Sequence, residues 1–166
     1  MREMDKKGFD NEEHFTTIHR CKCPTLLKLL NYLRGLIEDK QEYKTCVPFL
    51  KKNIQQITKD ELKVIYKKED LILCTENKIK DEYKLMFEHI PKFMVKENTC
   101  KYNNNQIIFE DIPDIKKDHR HGFTIHSIQG ETATNKLFID LRKQKSLRMI
   151  YTAVSRAQYI SQIYLI

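Results

Sequence analysis

Short apolar runs that alternate with helical patterns restrict the fold of this chain more than any other feature. The runs Leu71–Thr75, Phe123–His126 and Leu137–Asp140 have the length and apolar content of buried strands. Helices are expected at Asn77–His89 and at Ser146–Gln158. Strands that alternate with helices form a mostly parallel sheet with helices on both faces. The sequence therefore predicts an α/β fold, and its 166 residues fit one domain.

The other apolar patterns predict helices before this alternation and strands within it. A leucine-rich amphipathic helix is expected from Pro24 to Ile37, and residues 45–69 predict one or two shorter, lysine-rich helices. A β-hairpin is expected where Phe93–Lys96 and Gln106–Phe109 flank a polar, asparagine-rich turn. The chain is expected to end in a strand, Ile163–Ile166.

The charge of the chain favours an acidic partner. Thirty Lys and Arg residues against 23 Asp and Glu residues give a formal net charge of +7 and a pI near 9.1. Nucleic acid would be attracted to such a protein electrostatically. A general abundance of lysine, asparagine and isoleucine in the source organism explains the same composition equally well.

The cysteines favour a reducing intracellular compartment, cytoplasmic or nuclear. Their number is odd, their spacing is not paired, and no apolar signal peptide precedes them; they are Cys21, Cys23, Cys46, Cys74 and Cys100. No apolar run approaches the ~20 residues that span a bilayer, so no membrane location is expected. No metal site is predicted either, because two histidines upstream of Cys21 and Cys23 do not give a standard zinc spacing.

The chain does not carry the sequence of a phosphate-binding loop. No stretch matches Gly-x-x-x-x-Gly-Lys-Ser/Thr, and the chain has only four glycines. Any nucleoside triphosphate that this chain contacts is therefore expected to be held mainly by another domain.

The end of the strand Phe123–His126 is a candidate binding site. Ligands of parallel α/β sheets bind beyond the carboxyl ends of the strands. Thr124 and His126 alternate along this strand, so their side chains and the amides of residues 127–130 could converge on an anion or a sugar. Alternatively, His126 is a structural histidine and Gln129-Gly130 is only a turn.

The last predicted helix carries a second candidate. Arg148, Thr152 and Arg156 recur at intervals of four and share a polar face. The guanidinium of an arginine on a packed helix is a planar, permanently charged group that suits a phosphate. An arginine in this position could equally form a surface ion pair.

Three blocks in a fixed order resemble signature motifs of superfamily 1 helicases of the UvrD and RecD kind. Thr124–Thr132 resembles the fifth motif, and Leu137–Asp140 followed by Tyr151–Ala157 leads into the sixth. Upstream, Phe15–Arg20 and the leucine-rich helix after it are similar to the fourth motif, with His19 in the place of the usual aromatic residue.

The resemblance implies that residues 14–166 are the second RecA-like domain of an ATP-dependent DNA helicase. The charged residues 1–13 have no apolar pattern and are expected to be a linker. The hairpin at about residues 92–110 occupies the interval in which RecD-like members carry a small β-rich insertion. It is either a reduced form of that insertion or two strands that cover a sheet edge. In such proteins ATP lies between two RecA-like domains, and the first domain supplies the phosphate loop and the magnesium carboxylate. The implied partners are single-stranded DNA and an N-terminal RecA-like ATPase domain, in cis or in trans. The composition and the compact insertion suit a large DNA virus or another AT-rich genome, and a viral source would put the protein at a viral replication site.

The resemblance also assigns roles to individual residues. Arg156 and Arg20 would reach the γ-phosphate of ATP across the interdomain cleft and act in catalysis. The other implied site residues are Thr124, His126 and Ser127 on the nucleic-acid backbone, and Gln129, Gly130 and Glu131 at the nucleotide.

Two functions are compatible with these features. The first is the C-terminal half of a helicase, which is not an active ATPase alone and which needs Arg156 exposed at the cleft. The second is a free-standing nucleic-acid-binding or regulatory module that keeps the RecA-like fold without motor activity, and it could hold Arg156 inside the fold.

Overall fold

A five-stranded parallel sheet forms the centre of the protein. The computed structural model describes residues 21–128, 132–143 and 146–166. Within them the strands of this sheet are β1 (Gln55–Gln56), β2 (Leu71–Cys74), β6 (Gly122–Thr124), β7 (Leu137–Ile139) and β8 (Ile163–Leu165). Their order across the sheet is β1-β8-β7-β2-β6, and every pairing is parallel. The strand β6, which carries the candidate binding residues, therefore lies at an edge.

Helices connect the strands and begin at residues that favour a helix start. They are α1 (Pro24–Glu38), α2 (Val47–Asn53), α3 (Lys59–Ile65), α4 (Asn77–Met86) and α5 (Leu147–Val154), with 3₁₀ turns at Tyr43–Thr45, His126–Ile128 and Ile160–Gln162. Pro24 opens α1, where a missing N–H costs nothing. Thr58 caps α3 in a reciprocal capping box with Glu61, and the Ser146 hydroxyl accepts from the Met149 amide before α5.

The sheet is covered on both faces, as the sequence predicts. Leu73 and Ile139 face the side on which α1, α2 and α5 pack, while Ile72 and Phe138 face the side of α3 and α4. Neighbouring residues of one strand thus serve opposite cores, which explains why these strands read as continuous apolar runs. No helix among the described residues is long and apolar enough to cross a membrane.

A second, three-stranded antiparallel sheet follows α4, and we call it the small sheet. It consists of β3 (Phe93–Val95), β4 (Ile107–Ile108) and β5 (Lys117–His119) in the order β4-β3-β5. The pairing of Phe93 with Ile108 confirms the predicted hairpin. The sequence did not predict β5, because its residues Lys117-Asp-His119 are polar and only partly buried. The small sheet therefore extends beyond residue 110 and leads directly into β6.

Two further elements differ from the sequence-based expectation. The two-residue β1 was not expected, since Gln55 and Gln56 are both exposed and give no apolar signal. The helix expected to reach Gln158 ends at Val154, and the amides of Arg156 and Ala157 instead bond to the carbonyls of residues three positions earlier. This tighter last turn is a common way for a helix to end.

Candidate functional site

Three predicted site residues meet at the carboxyl end of β6. Thr124 pairs with Cys74 of β2 and is half-buried, while His126 and Ser127 are exposed in the 3₁₀ turn that follows. The Ser127 hydroxyl donates to the Thr124 carbonyl at 2.9 Å and fixes the start of this turn. We call these three residues the strand-end site. They can offer two hydroxyls and an imidazole to a polar ligand.

Four other predicted site residues lie outside the described part of the chain. They are Arg20, Gln129, Gly130 and Glu131. The expected linker at residues 1–13 also lies outside it. Their roles stay predictions.

Arg156 is described, and it is buried rather than exposed. Only 7% of its surface is accessible. Its Nε donates to the Thr152 carbonyl at 3.1 Å, and its Nη2 donates to the Ser155 hydroxyl at 3.2 Å. The expectation that Arg156 is exposed at a cleft is therefore wrong for this structure, because the guanidinium turns back onto the end of its own helix.

Backbone hydrogen bonds bring the sixth-motif block next to the residues that follow the fifth. The Ala133 amide donates to the Arg156 carbonyl at 2.7 Å. Gln162 reinforces this contact, because its Nε2 donates to the carbonyls of Ala133 and Asn135 at 2.9 and 2.7 Å. The segment 132–136 leads into β7, so Arg156 lies beside the chain that joins the two blocks. The Gln162 side chain was not singled out by the sequence.

A network of ionised groups at the carboxyl end of β7 was also missed. Asp140 is 1% exposed and accepts from Arg142 Nη2 at 2.7 Å and from the Tyr83 hydroxyl of α4. Arg142 Nη1 reaches Glu82 at 3.1 Å, and Glu82 also pairs with Lys59 of α3. The apolar run ending in Asp140 was recognised in the sequence, but its partners lie far away along the chain.

The protonation of this network follows from its hydrogen bonds. Burial alone would raise the pKa of Asp140, yet the hydrogen bonds from Arg142 and Tyr83 lower it overall. Burial, and next the neighbouring Asp140 carboxylate, raise the pKa of Tyr83. The network therefore contains an ionised carboxylate and a neutral phenol at neutral pH.

A polar cleft of about 860 Å³ separates the small sheet from the end of β6 and the segment before β7. Five cationic and two acidic side chains line it, and they are Lys68, Lys92, Lys96, Arg120, Lys136, Glu69 and Asp70. Ser127 of the strand-end site also borders the cleft. Cationic side chains therefore outnumber acidic ones in a cleft that lies beside a candidate binding residue.

A buried polar cluster connects the small sheet to the core below this cleft. Lys92 is 3% exposed, and its Nζ donates to the Asp70 carbonyl at 2.6 Å and to the Tyr66 hydroxyl at 3.1 Å. Tyr66 in turn hydrogen-bonds His121 Nδ1 at 2.8 Å. Burial lowers the pKa of Lys92 to about 8 and that of His121 to about 4.

The parallel sheet covered by helices, together with the small antiparallel sheet, defines a RecA-like α/β fold. Solved structures of Pif1 helicases share it. Bacteroides Pif1 bound to single-stranded DNA matches with a TM-score of 0.59 at 16% identity over 88% of this chain and 49% of that chain. Pif1 from Bacteroides in complex with ADP-AlF₃ and single-stranded DNA gives a TM-score of 0.57 at 15% identity, with 88% and 49% coverage.

A third match is the structure of two coordinating Pif1 helicases that unwind forked double-stranded DNA, with a TM-score of 0.55 at 15% identity. It covers 88% of this chain and 48% of that one. The chain thus spans about half the length of the helicases that it matches. No protein-family model matches the sequence, and no curated protein matches it.

Proposed function

We propose that this chain is the second RecA-like domain of an ATP-dependent superfamily 1 DNA helicase, of the UvrD and RecD kind. One observation carries the proposal. Thr124, His126 and Ser127, which belong to the block that resembles the fifth motif, lie together at the carboxyl end of the edge strand β6. The fold around them matches about half of the Pif1 chain. The solved relatives include complexes with single-stranded DNA and with ADP and aluminium fluoride. Their ligands support single-stranded DNA and ATP as the ligands here.

In this proposal the strand-end site contacts the nucleic-acid backbone. His126 is exposed, and its imidazole donates to a phosphate or a sugar oxygen. The half-buried Thr124 adds a hydroxyl beside it. Gln129, Gly130 and Glu131 follow directly in the sequence and connect this contact to the nucleotide.

ATP is bound mainly by an N-terminal RecA-like domain, in cis or in trans, and this chain contributes arginines. Arg156 turns toward the phosphate when the two domains close, because a guanidinium can donate two parallel hydrogen bonds to a phosphate oxyanion. Arg20 is the second arginine that the proposal assigns to the phosphate. No three His, Cys, Asp or Glu side chains of residues 21–128, 132–143 and 146–166 are grouped to hold a metal ion.

A second candidate function is favoured by the burial of Arg156. A free-standing nucleic-acid-binding or regulatory module needs the strand-end site but no arginine at a phosphate. An Arg156 that is 7% exposed and bonded to its own helix end is what such a module would contain.

Strand-stimulated ATP hydrolysis separates the two functions. The chain is mixed with a RecA-like domain that carries the phosphate loop, and hydrolysis is measured with and without a single-stranded oligonucleotide. Arg156→Ala is expected to lower the stimulated rate by about 10³-fold or more. Arg148→Ala is the control, because Arg148 is an exposed arginine on α5, the helix that Arg156 follows. Equal rates for the two variants, or strand binding without any hydrolysis, would favour the binding module.

A further inference from the structure

We propose that Arg120 and Lys96 form a phosphate-binding subsite for a nucleic-acid strand in the cleft between the small sheet and β6. This inference rests on the proposed strand contact at Ser127, which borders the same cleft. It extends the binding surface from the parallel sheet to the small sheet, for which the motif resemblance assigned no residue. The ligand is defined chemically as a phosphodiester oxyanion.

Arg120 is a largely buried cation whose hydrogen-bond partners are weak, and its guanidinium carbon lies over the Phe123 ring at 5.8 Å from the ring centre. Its side chain is 14% exposed, and it follows β5 on the wall of the cleft. Its Nη2 lies 3.4 Å from Asp118 Oδ2, and its Nη1 lies 3.5 Å from the sulfur of Met94. Both distances are long for hydrogen bonds, and a thioether is a weak acceptor. A guanidinium has five N–H donors, so these contacts leave its capacity for a bidentate oxyanion largely unused.

Lys96 lies on the neighbouring strand end and shares the same partners. Its Nζ is 3.4 Å from the Met94 sulfur and 3.7 Å from Asp118 Oδ2, and its side chain is 28% exposed. The single carboxylate of Asp118 is half-exposed and therefore compensates two cations only weakly. The positive charges of Arg120 and Lys96 thus lie close together beside the Met94 sulfur. A bound phosphate would reduce the repulsion between them.

The opposite wall of the cleft supplies complementary groups. Ser127 and Thr132 contribute hydroxyls there, and Lys136 contributes a cation that is partly compensated by the buried Asp70 at 3.6 Å. A strand that leaves the strand-end site past Ser127 would therefore pass between these groups and the Arg120 and Lys96 pair. The continuity with Ser127 favours a strand over a free phosphate ion.

Binding of a labelled single-stranded oligonucleotide to the whole chain tests the subsite. Fluorescence anisotropy is measured from low to moderate salt for the unmodified chain and for Arg120→Gln and Lys96→Gln. Each variant is expected to bind about 10-fold more weakly at low salt, and to lower the slope of log K against log salt by about 0.7, the contribution of one single-strand contact. Lys101→Gln is the matched control, because Lys101 is an exposed lysine of the β3–β4 connection outside the cleft.

A tryptophan reporter locates the ligand. The chain has no tryptophan, so Phe109→Trp places a single indole at the cleft wall. Oligonucleotide binding is expected to change its emission, whereas inorganic phosphate at the same phosphate concentration is expected to leave it unchanged. An equal response to both would identify a free-phosphate site and overturn the assignment to a strand.

Circular dichroism shows whether Arg120→Gln is folded, and the more exposed Lys96→Gln gives an independent variant.

The outcomes separate this inference from the proposed function. The subsite is overturned if both charge-removing variants bind like Lys101→Gln while His126→Ala binds weakly, and the proposed strand-end site then survives. The motor part of the proposed function fails if the phosphate-loop domain produces no hydrolysis while Arg120→Gln and Lys96→Gln still weaken binding. Absence of any oligonucleotide binding overturns the subsite itself.

Discussion

The guanidinium of Arg142 closes around the carboxylate of Asp140, two residues before it in the chain. Arg142 Nη2 donates to Asp140 Oδ2 at 2.7 Å, Nε donates to the same carboxylate at 3.0 Å, and the Arg142 amide donates to Oδ1 at 3.0 Å. Since Asp140 is also bonded to Tyr83, the loop after β7 is attached to α4. This loop lies at the carboxyl edge of the sheet, near the strand-end site in the topology.

Arg142→Ala is expected to lower the free energy of unfolding by about 3 kcal/mol, because it leaves the buried Asp140 carboxylate without its cation. Urea denaturation checks this value. Arg34→Ala is the control, since Arg34 is only partly buried and pairs with the exposed Glu38 one turn away, and surface pairs contribute less than about 1 kcal/mol. An equal loss in both variants would contradict the role of Asp140.

The same pair sets a pH dependence. The folded-state pKa of Asp140 is lowered, so its contribution to stability is present above the unfolded pKa of about 3.9 and is lost as pH falls through the folded value. The stability difference between the unmodified chain and Arg142→Ala should therefore shrink on acidification. A constant difference between pH 7 and the acid limit of folding would count against this assignment.

Lys92 should also make the stability rise with pH, in this case because burial disfavours its charged form. Its folded pKa of about 8 lies below the ordinary value of 10.5, so the unfolded chain binds more protons between these values and stability rises with pH there. Relative to Lys92→Met, the unmodified chain should gain about 3 kcal/mol between pH 8 and pH 10.5. Denaturation of both chains at several pH values measures this difference. Because both chains contain the same tyrosines and cysteines, the titration of those residues cancels in the comparison.

His126→Ala is expected to weaken binding of a single-stranded oligonucleotide by about 10-fold without changing the thermal unfolding midpoint, because the side chain is exposed. His89→Ala is the matched control, since His89 is also an exposed histidine but follows α4 rather than β6. Anisotropy and a thermal melt give the two readouts. If both variants bind equally, His126 is a surface residue with no role at the strand.

Patterns within a few residues predicted the parts of the fold that depend on local order. The apolar runs at β2, β6 and β7 and the hairpin of β3 and β4 were all visible, because burial on both sheet faces and a polar turn leave direct marks on the sequence. The third strand β5 leaves no such mark. Its alternating Lys117-Asp-His119 is stabilised by pairing with β3, which lies more than 20 residues earlier.

In the candidate site, too, the sequence predicted the residues that are close together along the chain and missed those that only the fold brings together. Thr124, His126 and Ser127 were predicted together because they are nearly consecutive, whereas the cleft joins residues from five separate segments. The burial of Arg156 was not predictable either, because the helix ends at Val154, before Arg156, and the side chain folds back onto the Thr152 carbonyl. Contacts of this kind depend on packing, which a helical period does not encode.

Gly122 and Gly35 should respond in opposite ways to replacement by alanine. A Cβ at Gly122 would lie 3.3 Å from the Lys80 Cα of α4 and 3.4 Å from the Tyr83 ring, so Gly122→Ala must push α4 away from β6 and should destabilise the fold by about 1 kcal/mol. A Cβ at Gly35, inside α1, would meet no atom within 4 Å. Gly35→Ala should therefore stabilise the fold by about 0.5–1 kcal/mol through helix propensity. Urea midpoints that move in the same direction for both variants would show that the α4–β6 contact has room for a methyl group.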